Sequence, residues 1–160
     1  MKPEKLRYLI LSLTNRCNLY CSYCYRSATG DGLDMSDEVM DAALALGNNG
    51  NRILVQVTGG EPTLVPEKIE RRAEKCRQMK YVPEIAIQTN GTLMTESIAD
   101  LFSLNKIQVG VSLDGPPELQ ERLRGKADET LKGLQFLERS GVAFRVTTVV
   151  SNTNVLNLDK

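Results

Sequence analysis

The chain has 160 residues, of which 41% are apolar and 25% are charged, and this size and composition are typical of one soluble globular domain spanning residues 1–160. Twenty Lys and Arg residues balance twenty Asp and Glu residues, and aromatic residues are sparse, so neither nucleic acid nor an anionic membrane is an expected partner. The sequence shows neither a run of roughly 18 apolar residues nor a signal-peptide pattern, and we therefore expect a cytoplasmic protein.

Apolar and amphipathic segments alternate along the chain. The predicted strands cover residues 8–13, 53–57, 85–88, 107–113 and 144–150, and the predicted helices cover residues 36–47, 67–79, 96–104 and 129–140. Residues 8–13 are almost continuously apolar, which predicts a strand covered on both faces. The regular alternation favours an α/β fold built from parallel, right-handed βα units.

The first predicted helix has recognisable ends and one apolar series. Ser36 is a suitable N-cap residue, and Gly47 is suited to ending the helix. Val39, Ala43 and Leu46 recur at i, i+4 and i+7, so we expect them to form the buried face.

Three of the four cysteines follow the first predicted strand with the spacing Cys17-x3-Cys21-x2-Cys24. Three thiolates this close together can bind one inorganic centre, but structural zinc sites and ordinary iron–sulfur clusters have four protein ligands. The chain has no histidine to complete such a set. The simplest interpretation is a [4Fe-4S] cluster with one iron open to an outside ligand. The alternative is a zinc site with Cys76 or an outside group as the fourth ligand. Cys76, however, lies on the apolar repeat of the second predicted helix, where we expect a small core residue.

Further polar and glycine-rich motifs follow the other predicted strands. Gly-Gly-Glu-Pro occupies residues 59–62, Thr-Asn-Gly occupies residues 89–91, and Ser112 closes the fourth strand. Because the carboxyl ends of parallel strands meet at one edge, we expect these motifs to converge there with the cysteines. Glycine allows close approach of the backbone to a ligand, and the Glu61 carboxylate can accept hydrogen bonds from an ammonium group. Without histidine there is no Ser-His-Asp or Cys-His system, and the sequence contains no P-loop.

The cysteine spacing, with Tyr23 directly before the third cysteine, resembles the cluster motif of the radical S-adenosylmethionine (SAM) superfamily. Residues 59–62 are similar to the second signature of that family. Thr-Asn-Gly-Thr at residues 89–92 and Ser-Leu-Asp-Gly at residues 112–115 resemble the branch of sulfatase-maturing enzymes and peptide maturases. The four motifs occur in the order of the family, and the resemblance extends from about Leu9 to Asn154.

The resemblance implies specific site residues. Cys17, Cys21 and Cys24 would hold the [4Fe-4S] cluster. Tyr23 would lie beside the adenine of S-adenosyl-L-methionine, Gly60 and Glu61 would hold its amino group, Ser112 would contact its ribose or carboxylate, and Arg124 would contact its carboxylate.

From the residues alone, several of these positions could have a purely structural role. Arg124 is equally well a solvated charge on a helix face. For Tyr23 the position beside adenine is favoured, and the alternative is a packing residue of the loop. Gln88 and Asn90 lie near SAM or substrate in one interpretation and form an ordinary turn in the other. Residues 114–117 are predicted as a turn, with no catalytic role for Asp114. A histidine often stands at the place of Gln120 in related sequences, but it is not a cluster ligand.

The resemblance also implies a fold and a reaction. The fold is a partial parallel (β/α) barrel with about five of an expected six strands, so the chain would be a fragment, a short form or one half of an assembly. The reaction is reductive cleavage of SAM to a 5′-deoxyadenosyl radical, which abstracts hydrogen from a substrate such as a peptide or protein side chain. Reduced ferredoxin or flavodoxin would donate the electron. The rival functions are a cluster- and SAM-binding module without turnover, and a zinc-binding structural module. An open edge at residues 144–150 predicts self-association or a missing C-terminal partner.

Overall fold

The computed structural model describes residues 6–26, 32–47, 53–80 and 83–158. The strands are β1 (Tyr8–Thr14), β2 (Leu54–Gly59), β3 (Glu84–Thr89), β4 (Gln108–Ser112) and β5 (Phe144–Thr147). The helices are α1 (Asp37–Gly47), α2 (Pro66–Arg77), α3 (Glu96–Leu104), α4 (Pro117–Leu123) and α5 (Ala127–Arg139), with short 3₁₀ turns at Pro62–Leu64 and Val155–Asn157. The strands form one sheet in the order β1-β2-β3-β4-β5, and all neighbouring pairs are parallel. The predicted open α/β sheet of five parallel strands is therefore confirmed.

The two faces of the sheet differ in their environment. Alternate residues such as Leu11, Val57 and Val111 are buried in the hydrophobic core together with residues of the helices. On β1, however, Tyr8 and Ile10 are 47% and 58% exposed. The prediction that this strand is covered on both faces is therefore wrong. The reason is that the helical layer covers one face only; on the other face, side chains of the neighbouring strands such as Gln56 and Gln88 border a cavity.

The buried face of α1 also differs from the prediction. Met40 and Leu44 are buried, whereas Val39 and Leu46 are 55% and 68% exposed. The helix carries two overlapping apolar series at helical spacing, and packing against the sheet selects the second. Only Ala43 of the predicted set packs, partly buried, against the core.

The predicted ends of α1 are confirmed. The N–H of Val39 donates a hydrogen bond of 3.3 Å to Ser36 Oγ, as expected of an N-cap. The helix ends at Gly47, where a Cβ atom would lie 2.3 Å from Ile53 Cδ1. The glycine therefore allows close packing of the helix end against the residue that precedes β2.

One helix was not predicted. The turn expected at residues 114–117 is present, with Gly115 at a φ of 144°, but Pro117 then begins α4. Proline is favourable in the first helical turn, where its missing N–H has no intrahelical partner. β5 is shorter than predicted and ends at Thr147. Beyond it, the N–H of Val149 bonds to the Asp114 side chain, so the backbone no longer pairs with β4.

The core position predicted for Cys76 is confirmed, because Ile69, Ala73 and Cys76 on α2 are all buried. The same face carries an unexpected charge. Arg72 is 0% exposed, and its guanidinium nitrogens have no hydrogen-bond partner within the described residues. Burial lowers the pKa of Arg72 to about 10. No helix in the described ranges is long and apolar enough to cross a membrane.

Candidate cofactor site

The predicted site residues meet at the carboxyl ends of the strands. They line one cavity of about 410 Å³: Cys17, Cys21, Tyr23, Cys24, Gly60, Glu61, Ser112 and Arg124. The expected convergence of the motifs on one edge is therefore confirmed. Gln88 and Asn90 border the same cavity.

The cysteine loop begins directly after β1 and turns back on itself. The N–H of Cys24 donates a 3.0 Å hydrogen bond to the carbonyl oxygen of Cys21, and all three thiols are partly buried. Burial raises the pKa of the Cys17 and Cys21 thiols, so metal binding there must displace protons. Within the described residues, no group of three His, Cys, Asp or Glu side chains is arranged to hold one metal ion. Three thiols that face a shared cavity fit a multi-iron cluster, in which each thiolate binds a different iron, better than a single zinc ion.

The glycines of residues 59–62 bring the second motif against the cysteine loop. The N–H of Gly60 donates to the carbonyl oxygen of Thr14, and the N–H of Glu61 donates to that of Arg16, both at 2.8 Å. A Cβ atom at residue 60 would lie 2.0 Å from the Arg16 carbonyl oxygen, which excludes any side chain there. We predicted that the glycines allow close approach of the backbone to a ligand. In the structure, Gly60 instead allows the loop of residues 59–62 to pack directly against the cysteine loop.

The Glu61 carboxylate is buried and bonded to the protein itself. Its Oε1 accepts hydrogen bonds from Thr63 N–H (3.0 Å), Thr63 Oγ1 (2.6 Å) and Thr89 Oγ1 (2.6 Å). Its Oε2 accepts one bond of 2.7 Å from the N–H of Asn90. The pKa of Glu61 is raised above its ordinary value, because the effect of burial exceeds the opposing effect of these hydrogen bonds. Oε2 retains one acceptor position, because a carboxylate oxygen accepts two hydrogen bonds comfortably.

Asn18 is a site residue that the sequence analysis missed. Its Oδ1 accepts a 2.9 Å hydrogen bond from Asn90 Nδ2, and its Nδ2 donates at 2.8 Å to Thr92 Oγ1. The Thr92 N–H in turn donates to Asn90 Oδ1 at 2.9 Å. The Thr-Asn-Gly-Thr motif therefore holds the loop between the first two cysteines. The position of an asparagine directly after Cys17 was the available signal.

A polar cluster lies beside the part of the cysteine loop between Cys21 and Cys24. It consists of Tyr23, Asp114 and Arg124. Asp114 is 0% exposed and accepts a hydrogen bond from the Tyr23 hydroxyl through Oδ2. Arg124 Nη1 donates to the same hydroxyl at 2.6 Å and lies 3.6 Å from Asp114 Oδ2. Burial and the hydrogen bond to Asp114 raise the pKa of Tyr23. The Arg124 side chain is only 12% exposed, so the alternative of a solvated charge on a helix face is wrong.

The Ser112 hydroxyl is held by a hydrogen bond from Gln88, a residue of the neighbouring strand β3. Gln88 Nε2 donates at 2.9 Å to Ser112 Oγ, and Thr147 Oγ1 donates at 3.2 Å to Gln88 Oε1. The side chain crosses β4 at Gly110, where a Cβ atom would lie 2.5 Å from Gln88 Oε1. Gln120 is buried, and its Oε1 accepts a hydrogen bond of 2.9 Å from the N–H of Asp114, so it supports the turn after β4.

The sequence model of the Radical SAM superfamily matches residues 11–156. The chain belongs to the radical SAM superfamily. Its relatives include the uncharacterized protein MJ0907 of Methanocaldococcus jannaschii, which is 40% identical over 98% of this chain and 57% of its own length. A cysteine-type anaerobic sulfatase-maturating enzyme of Clostridium perfringens is 30% identical over 97% of this chain and 47% of its own length. The resemblance to the sulfatase-maturase branch is thereby confirmed.

Solved structures agree with this assignment to the radical SAM fold. The structure of anSMEcpe with bound AdoMet superposes with a TM-score of 0.86 at 30% identity, over 96% of this chain and 47% of that chain. The chain thus spans about half the length of the relatives it matches.

Proposed function

We propose that this chain is the core of a radical SAM enzyme of the maturase type. Cys17, Cys21 and Cys24 would hold a [4Fe-4S] cluster, and S-adenosyl-L-methionine would occupy the cavity of about 410 Å³ beside them. The observation that carries the proposal is that three half-buried thiols and the remaining predicted cofactor residues line this one cavity. The AdoMet bound to the similar anSMEcpe structure supports it.

The chemistry that the bound cofactors supply is one-electron reductive cleavage of SAM, which yields methionine and a 5′-deoxyadenosyl radical that abstracts hydrogen from substrate. The chain itself contributes binding, orientation and exclusion of water. We assign the remaining acceptor position of Glu61 Oε2 and the Gly60 carbonyl oxygen to the SAM ammonium group, since the Gly60 N–H already donates to Thr14. Ser112 and Arg124 are assigned to its ribose or carboxylate, and the Tyr23 ring to its adenine.

We further propose a reduced ferredoxin or flavodoxin as electron donor and a peptide or protein side chain as substrate. The substrate class is supported by the name of the Clostridium perfringens relative, a sulfatase-maturating enzyme. We propose that the donor docks at the cysteine loop. Tyr20 and Tyr25, which stand next to Cys21 and Cys24 in the sequence, are 79% and 90% exposed and so offer a surface for it.

Anaerobic reconstitution with iron and sulfide tests the proposal. We expect a brown protein with about four irons per chain that produces 5′-deoxyadenosine and methionine from SAM when dithionite or reduced flavodoxin is added. The matched control is the triple variant with Cys17, Cys21 and Cys24 changed to alanine, which should remain colourless. A brown protein that binds SAM without producing 5′-deoxyadenosine would indicate a binding module without turnover. A colourless protein with one zinc per chain would overturn the proposal.

A further inference from the structure

We propose that Asp114 is a positioning residue of the cofactor site, which holds Tyr23 and Arg124 in place without touching cluster or SAM. This inference rests on the proposed function. Asp114 is 0% exposed and does not line the cavity, whereas Tyr23 and Arg124 do. Any influence of its carboxylate on the cofactors must therefore pass through these two side chains.

The Asp114 carboxylate is fully engaged by residues from three parts of the chain. Oδ2 accepts the Tyr23 hydroxyl of the cysteine loop and lies 3.6 Å from Arg124 Nη1, which follows α4. Oδ1 accepts the N–H of Val149, which follows β5, at 3.0 Å. Hydrogen bonds to a buried carboxylate are charge-assisted and strong, so loss of the charge weakens them together.

The backbone of Asp114 is held as firmly as its side chain. Its N–H donates to Gln120 Oε1 at 2.9 Å, and its carbonyl oxygen accepts Asn154 Nδ2 at 3.1 Å. Asn154 is itself 0% exposed and also donates to the carbonyl oxygen of Val149 at 2.9 Å. The carboxylate thus has a rigid support made by α4 and by the segment after β5.

The cysteine loop is attached to this support between its second and third cysteines. Besides the Tyr23 hydroxyl, the N–H of Ser22 donates to the carbonyl oxygen of Leu123 at 2.9 Å. Arg124 directly follows Leu123 and lines the same cavity as Cys21. Asp114 therefore both anchors the loop and partly neutralises a cation, Arg124, that lines the cavity together with Cys21.

Two substitutions separate these effects. Asp114→Asn removes the negative charge and one acceptor, whereas Tyr23→Phe removes only the hydroxyl and keeps the ring and every charge. In the reconstituted protein we expect each variant to bind SAM about tenfold more weakly, as measured by isothermal titration calorimetry. Because the two substitutions share the Tyr23–Asp114 contact, the loss of affinity in the double variant should be smaller than the product of the two single losses.

The reduction potential of the cluster provides a second readout that a general loss of stability would not produce. Asp114→Asn leaves the Arg124 charge uncompensated near Cys21, so the potential should shift in the positive direction, while Tyr23→Phe should leave it nearly unchanged. In the protein before reconstitution, amides of residues 21–25 should exchange hydrogen faster in both variants. The control is Asp100→Asn on α3, which removes an exposed carboxylate that accepts a hydrogen bond from Ser140.

The outcomes distinguish this inference from the proposed function. If the unsubstituted protein takes up no cluster or binds no SAM, the proposed function fails. If it does both, and Tyr23→Phe and Asp114→Asn bind SAM like the control or act additively, the positioning role of Asp114 is wrong. Should Asp114→Asn fail to fold, Tyr23→Phe alone tests the contact through SAM affinity and amide exchange.

Discussion

Asn90 Nδ2 donates a hydrogen bond of 2.9 Å to Asn18 Oδ1, across 72 positions of sequence, and this contact fixes the loop between the first two cysteines. The contact is continued by Asn18 Nδ2, which donates to Thr92 Oγ1. The cysteine loop is therefore shaped by the polypeptide before any cofactor binds. An ordered loop reduces the entropy that metal binding would otherwise cost.

We expect Asn18→Ala to lower the free energy of unfolding by about 1–3 kcal/mol, because it removes the hydrogen bonds to the buried Asn90 amide and to the half-buried Thr92 hydroxyl. The reconstituted variant should also lose iron faster to a chelator. Chemical denaturation and the rate of iron release measure the two effects. Asn152→Ala, at an exposed position after β5, is the control. Iron release at the unsubstituted rate would show that this contact does not shape the cluster site.

The cysteines should separate into two classes. Alanine at Cys17, Cys21 or Cys24 should each abolish the brown chromophore, since no neighbouring group replaces a thiolate ligand. Cys76→Ala should retain full iron content and cost about 1 kcal/mol or slightly more through lost packing. Iron analysis and visible absorption check this. The ligand assignment is wrong if Cys76→Ala loses the metal while the other three variants keep it.

Glu61→Ala should weaken SAM binding while the cluster absorbance is preserved, because the residue is assigned to the cofactor and not to iron. Glu61→Gln keeps the size of the side chain but removes its charge and one acceptor. Its amide nitrogen faces the Asn90 N–H in place of Oε2, which should cost about 1–3 kcal/mol of stability. SAM titration and thermal unfolding measure the two quantities, with Glu67→Gln at an exposed position as control. An unchanged SAM affinity in both Glu61 variants would remove this role.

Arg72→Met should stabilise the protein. Arg72 is 0% exposed and its guanidinium nitrogens have no hydrogen-bond partner among the described residues, so the interaction with the buried Cys76 thiol offsets only part of the desolvation cost. A methionine of similar length fills the space without a charge, and replacing buried charged groups in this way gains about 1–4 kcal/mol in favourable cases. Thermal unfolding at neutral pH checks the sign. A lower midpoint would mean that the guanidinium is compensated within the fold.

The edge of β5 should make the 160-residue chain self-associate. β5 pairs only with β4 in the described sheet, and Val146, Val149 and Val150 are 49%, 46% and 61% exposed. Exposed apolar edge strands recruit other chains, and a lysine there opposes this. Light scattering after size exclusion should therefore show association that Val146→Lys reduces. A monomeric chain with β5 protected from hydrogen exchange would contradict the association.

The sequence by itself determined the alternation of strands and helices and the edge at which the motifs meet. Both depend on local information, because hydrophobic period and strand order place Cys17, Glu61 and Ser112 at successive strand ends. For that reason the predicted site residues line one cavity, as expected.

The tertiary structure alone decided how these residues are used. It selected Met40 and Leu44 over Val39 and Leu46 as the buried face of α1, since both series satisfy the helical period. It also joined Tyr23 to Asp114 across 91 positions. Such contacts depend on which distant donors and acceptors the folded backbone brings within hydrogen-bonding distance. Periodicity and motif spacing contain no information about that pairing, and so an aspartate that the sequence assigns to a turn lies at the centre of a buried network.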